Sequence, residues 1–114
     1  METKKQKIIL RIIYEDKTYC TNAILHPKRY MKAKYTHLDI PADKVPEILV
    51  DLSRIRGIRI PCKNDDTCIF LIISGLSMLK ICVENYHIIC REHVWISKKK
   101  DRTIYVGPIK ISPS

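Results

Sequence analysis

The sequence predicts an α+β domain: mostly antiparallel β-sheet of about seven strands, open or partly closed as a barrel, with one amphipathic helix near residues 43–56. Three observations predict it. Apolar and polar residues alternate at the two-residue period of a strand along much of the chain. Only "ADKVPEILVDLSRIRG" carries an apolar stripe at helical spacing. No repeat, low-complexity tract or Pro/Gly-rich linker divides the 114 residues, so residues 1–114 read as a single domain of ordinary size.

The elements follow in order. From Lys7 to Glu15, Ile8, Leu10, Ile12 and Tyr14 share one face, while Lys7, Ile9, Arg11 and Ile13 make a mixed second face. "YEDKTY" reads as a hairpin turn into a strand from about Thr18 to Leu25. A third strand is expected through "PKRYMKAKY" (Pro27 to Tyr35) to about Ile40. The helix follows, with Val45, Ile48, Leu49, Leu52 and Ile55 on its apolar stripe. Asp43 is the expected N-cap, Pro46 sits in the first turn, Gly57 is the C′ residue, and Arg54 and Arg56 lie at the negative end of the dipole. Strands are then expected at Ile58 to Ile60, Cys68 to Ile73, Met78 to Glu84, Tyr86 to Ser97 and Thr103 to Ile111, with turns at Glu84-Asn85 and at "KKKDR" (Lys98 to Arg102).

A composition 46% hydrophobic and 29% charged is that of a globular chain. Lys and Arg number 21 against 12 acids, a formal charge of +9 and a pI near 9.4. That excess costs some self-repulsion and favours anionic partners, nucleic acid foremost. The longest apolar run, Ile69 to Leu79, has 11 residues and contains a glycine, too short for the ~20 of a membrane span. No signal peptide is read, because Arg11 interrupts the first apolar run. A cytoplasmic location is expected. One Gln and three Asn against abundant Lys and Ile fit a thermophilic source.

Read as a strand, "PKRYMKAKY" places Lys28, Tyr30, Lys32 and Lys34 on one face, cations for phosphates beside an aromatic ring for a base. The blander reading is a solvated strand face, lysine being a common guard of sheet edges. Lys7, Arg11 and Lys17 on the preceding hairpin extend the charge. Lys98, Lys99, Lys100 and Arg102 at the later turn would grip at the rim. Arg91, His93 and Trp95 share a face by parity, a stacking platform, although a lone Trp in a small domain is more often core.

Metal and catalytic readings find less. "HIICREH" spaces His87, Cys90 and His93 by three, with Cys82 upstream, but His87 and Cys90 would point to opposite strand faces. The five cysteines (Cys20, Cys62, Cys68, Cys82, Cys90) are read mainly as buried small hydrophobes, with Cys62–Cys68 across "KNDDT" as the alternative bridge or ligand pair. "NDD" (Asn64-Asp65-Asp66) reads as a turn before it reads as a cation site. His26, His37, Tyr30 and Tyr35 lie near each other in sequence and offer the groups of a metal-free ribonuclease. No catalytic residue, metal or cofactor is assigned.

The order of hairpin, third strand and then "THLDIPADKVPEILVDLSRI" (Thr36 to Ile55) resembles the strand-to-helix passage of the family of single-strand-binding transcription coactivators and Whirly proteins. The similarity covers under half of the chain, and the strands after Gly57 have no counterpart in one such repeat. The resemblance implies a curved sheet that binds single strands, often from a dimer. The expected function is therefore a non-catalytic nucleic-acid-binding protein for single-stranded DNA or structured RNA, with a homodimer or larger complex open. The competing expectation is a small interaction subunit of a transcription, ribosomal or viral assembly, with Ile69 to Leu79 meeting a protein partner.

Overall fold

The computed structural model describes residues 5–26, 35–55, 59–74 and 77–114. Lys28, Tyr30, Lys32 and Lys34 lie outside the described residues, as do Arg56, Gly57 and Ile58 of the expected helix end and following strand.

β1 (Gln6–Tyr14) and β2 (Lys17–Leu25) form an antiparallel hairpin whose register pairs Tyr14 with Lys17. That register leaves a two-residue turn, and Glu15 takes a left-handed φ of 55° to close it. The alternation of β1 is kept: Ile8, Leu10 and Ile12 are buried while Lys7, Ile9 and Arg11 are exposed. β3 (Thr36–Ile40) pairs antiparallel with β2 and buries Thr36, Leu38 and Ile40, which turns His37 and Asp39 outward.

The helix is shorter than expected at both ends, closing at Ser53 with Arg54 as its C-cap. Ala42–Lys44 forms one 3₁₀ turn, Val45 is extended (ψ 120°), and α1 runs only over Glu47–Ser53 with Pro46 as its N-cap. Asp43 therefore caps nothing; no side chain caps either element. The cause is Pro46, whose ring clashes with a helical conformation at the residue before it and drives Val45 to extended geometry. The apolar stripe survives: Leu49 and Leu52 are buried and Val45 and Ile48 pack beside them, while Ile55 is exposed.

β4 (Ile60–Asp65), β5 (Cys68–Ser74) and β6 (Ser77–Val83) form an antiparallel meander. Asp65 pairs with Cys68 and Asp66 has a φ of 54°, so "NDD" leads into a tight hairpin turn. Residues 86–92 belong to no strand. Pairing resumes in β7 (His93–Val94) and β8 (Ile96–Lys98), followed by β9 (Ile104–Val106) and β10 (Ile109–Pro113). The single expected strand Tyr86 to Ser97 is thus two short strands after an unpaired run, and Thr103 to Ile111 is broken at Gly107-Pro108.

Among the described residues ten strands run β7-β4-β5-β6-β1-β2-β3-β10-β9-β8, with β3 and β10 the one parallel pair there. β7 and β8 stand at opposite ends of this order yet are joined by Trp95 alone. One extended segment therefore pairs with β4 through its first half and with β9 through its second, which nearly closes the sheet into a barrel. Leu10, Leu38, Ile69, Leu71, Ile81, Ile104, Ile109 and Ile111 fill the interior, and α1 packs against β8 and β9.

Gly107 lies at the seam. Its φ is +54°, its N–H donates to the Trp95 carbonyl (3.0 Å), and an added Cβ would stand 2.5 Å from Val94 Cγ1. Gly107→Ala is expected to lower stability by roughly 1–3 kcal/mol, combining left-handed strain with overpacking. Urea unfolding of the variant measures it; an unchanged midpoint would show that the seam gives way freely.

The cysteine reading is corrected. Cys62 bonds Cys90 and Cys68 bonds Cys82, leaving Cys20 free and exposed. The Cys62–Cys68 pairing fails because both lie on adjacent strands whose register sets Cys62 opposite Leu71 and Cys68 opposite Asp65 on β4 and Cys82 on β6. Cys82 and Cys90, held in bridges, are also lost as ligands to the His87/His93 metal reading.

Candidate nucleic-acid interface

Strand register lines up a row of outward side chains across the sheet. Ser97 on β8 stands opposite Tyr105 on β9, Tyr105 opposite Lys110 on β10, and Lys110 beside His37 on β3. His26 continues the row, since its N–H donates to the His37 carbonyl (3.0 Å). Ser112, Asp39 and Ile24 form the next row.

At the β8–β9 end this face opens into a cleft of about 560 Å³ lined by Tyr35, Arg91, Trp95, Lys99 and Tyr105. Tyr35 meets Tyr105 edge to face with ring centroids 5.0 Å apart, and Lys99 Nζ lies 5.0 Å from the Tyr105 centroid. Trp95, at the seam, is 51% exposed. Trp95, Arg91 and His93 also border a second depression with Arg59, which donates to His93 Nδ1 (3.5 Å). A free indole with cations on both sides offers what an unstacked base and its phosphates need: a π-surface and positive charge.

Local structure explains how the cleft is held. The Cys62–Cys90 bridge and two hydrogen bonds between the Asn64 side chain and the Cys90 backbone (2.8 and 3.2 Å) fasten residues 86–92 to β4. Ile88 is buried beneath, which presents Ile89 and Arg91 outward. On the opposite wall the β8–β9 turn closes through Lys99 N–H to the Thr103 carbonyl (2.8 Å). Thr103 N–H donates to Asp101 Oδ1 (3.0 Å) and holds that carboxyl below its usual range.

The sequence-derived residues divide. Lys99 lines the cleft, while Lys98, Lys100 and Arg102 are exposed around the same turn. Arg91, His93 and Trp95 do share one exposed face, so Trp95 is no core residue. Lys7 and Arg11 are exposed on the outward face of β1, but Lys17 pairs with Tyr14, which packs toward the interior, so parity separates it from them. Tyr35 closes the stretch singled out in the sequence and lines the cleft. Tyr105 and Arg59 were missed; for Tyr105 the signal was present, as the polar alternate between Ile104 and Val106.

Elsewhere on the outward face, the His26 and His37 rings stack with centroids 4.2 Å apart. His26 Nε2 lies 2.5 Å from Asp39 Oδ2; His37 Nε2 lies 3.3 Å from Asp39 Oδ1 and 3.0 Å from Ser112 Oγ. Partial burial, with His26 and Lys110 alongside, pushes the His37 imidazole below its ordinary value against the pull of Asp39. Among the described residues, His26, His37 and Asp39 bring their ligand atoms within 4.8 Å of one another.

No family model matches the chain, and no curated protein or solved structure does either. The resemblance to single-strand-binding coactivators and Whirly proteins accordingly rests on element order alone. Among the described residues no helix is long and apolar enough to cross a membrane.

Proposed function

We propose that this protein binds single-stranded nucleic acid, single-stranded DNA or unpaired RNA, in the cleft beside Trp95 and without chemistry on the strand. The observation that carries the reading is the exposed indole of Trp95 set among Arg91, Lys99 and the Tyr35–Tyr105 pair. Trp95 and Tyr35 offer stacking surfaces, Arg91 and Lys99 meet phosphates, and Lys98, Lys100 and Arg102 add charge at the rim. The net charge of +9 supports it by drawing a polyanion toward the face. Lys28, Tyr30, Lys32 and Lys34 enter the reading on their sequence alone.

The interaction-subunit reading loses much of its contact surface. Ile69, Leu71 and Leu79 are fully buried in β5 and β6, so these members of the longest apolar run serve the protein's own core, while Met78 is 51% exposed. As for location, two disulfides ordinarily go with an oxidising compartment; the cytoplasmic reading rests on a hyperthermophilic source, where bridges persist inside the cell and with which the low Gln and Asn content agrees.

The chain has one tryptophan, so its fluorescence reports the cleft directly. Titration with a single-stranded oligonucleotide at low salt should quench it, and duplex of the same length should bind more weakly. Trp95→Ala, which removes that fluorophore and is therefore read by the anisotropy of a labelled oligonucleotide, should weaken binding by roughly 1–3 kcal/mol. Arg91→Ala with Lys99→Ala should flatten the plot of log K against log salt by about 1.4 for two lost phosphate contacts. Undetectable binding at low salt sinks the proposal, and an oligonucleotide recovered in fragments sinks its non-catalytic half.

A further inference from the structure

We propose that His26, His37 and Asp39 bind one divalent transition-metal ion of the Zn²⁺ class on the outward face of β2 and β3. The site stands whether or not the cleft holds a nucleic-acid strand.

Three features point to it. First, the donor set is two imidazoles and a carboxylate, which borderline divalent ions accept and hard ions such as Mg²⁺ do not favour. Second, the donors come from paired backbone. His37 and Asp39 are two apart on β3 and so share a face, and His26 is hydrogen-bonded to His37 across the ladder (N···O 3.0 Å). Third, the atoms already converge: both Nε2 atoms approach opposite oxygens of one carboxylate, at 2.5 and 3.3 Å. Ligand atoms around a tetrahedral ion with bonds of about 2.0–2.2 Å stand roughly 3.4 Å apart. Small side-chain rotations would open this triangle enough to admit the ion.

The three side chains are 21%, 32% and 27% exposed, which leaves space for water as the fourth ligand. Three protein ligands with one open position is the arrangement of a site that can take an exogenous donor. Ser112 Oγ, 3.0 Å from His37 Nε2, lies beside the site and is placed to hydrogen-bond a bound water.

The test uses the full chain with its disulfides oxidised, stripped with a chelator and titrated with ZnCl₂ by calorimetry and with Co²⁺ by visible absorption. One ion per chain is expected, with Co²⁺ giving ligand-field bands. Loss of outer partners alone lowers metal affinity 10–100-fold in known sites, so His37→Ala and Asp39→Asn should each weaken binding at least about tenfold. Circular dichroism of the metal-free variants checks that they fold, and His26→Gln supplies a second ligand change if one does not. Cys20→Ser and His87→Ala, which remove the free thiol and an exposed His–Asp pair, should leave affinity unchanged. Absence of binding at equimolar Zn²⁺, retention of full affinity by Asp39→Asn and His26→Gln, or loss of binding with Cys20→Ser would each overturn the assignment.

Discussion

Replacing Cys62 and Cys90 together by alanine is expected to lower the unfolding free energy by roughly 2–4 kcal/mol and to weaken the proposed single-strand binding along with it. The bridge spans 28 residues, so its removal returns substantial loop-closure freedom to the unfolded chain. In the folded state it fastens residues 86–92, which belong to no strand, to β4. The remaining ties include the two Asn64 hydrogen bonds, Cys62 N–H to the Glu92 carbonyl (2.9 Å), the exposed His87–Asp66 pair and buried Ile88. Arg91 follows Cys90 directly, so a loosened segment blurs one wall of the cleft. Urea unfolding and the fluorescence titration read the two effects. Cys68→Ala with Cys82→Ala is the control: that bridge joins cross-strand partners 14 residues apart in a hairpin and lies away from the cleft lining. It should cost stability and leave affinity alone. If both double variants weaken binding equally, the cleft depends on global stability and not on residues 86–92.

Leu10→Ala is expected to cost about 3–5 kcal/mol. Leu10 is fully buried at the middle of β1, paired with Thr21 on β2 and Val83 on β6. Truncation there leaves a cavity between three strands whose hydrogen-bonded ladder resists collapse. Its neighbour Ile9 points outward and is 42% exposed, so Ile9→Ala should cost under about 1 kcal/mol. Thermal or urea unfolding of the pair checks the inward and outward assignment of the whole hairpin, and equal losses would refute it.

Much of this architecture is legible locally. The two-residue alternation of β1 named its buried face correctly, because a strand's side chains point by geometry to opposite sides whatever the strand pairs with. Parity likewise put Arg91, His93 and Trp95 on one face, which the structure shows to be exposed, even though residues 86–92 are not a paired strand. Two departures from the local pattern have local causes: Val45 is extended because Pro46 follows it, and Gly107-Pro108 is a turn signal that breaks the last strand. The break at Trp95 has none: the segment changes partner there, from β4 to β9, and no property of residues 93–98 alone encodes that exchange.

By itself the sequence determined the inward and outward faces, the single helix, the absence of a long apolar span and the strong positive charge. Each depends on the spacing or the sum of residues and needs no knowledge of what lies across the fold. Only the tertiary structure decided that Cys62 meets Cys90, that Trp95 stands exposed at a seam among Tyr35, Arg91, Lys99 and Tyr105, and that His26, His37 and Asp39 converge. Those are pairings between strands, set by register across the sheet, and a register is chosen by burial of the whole core at once and not by any one strand.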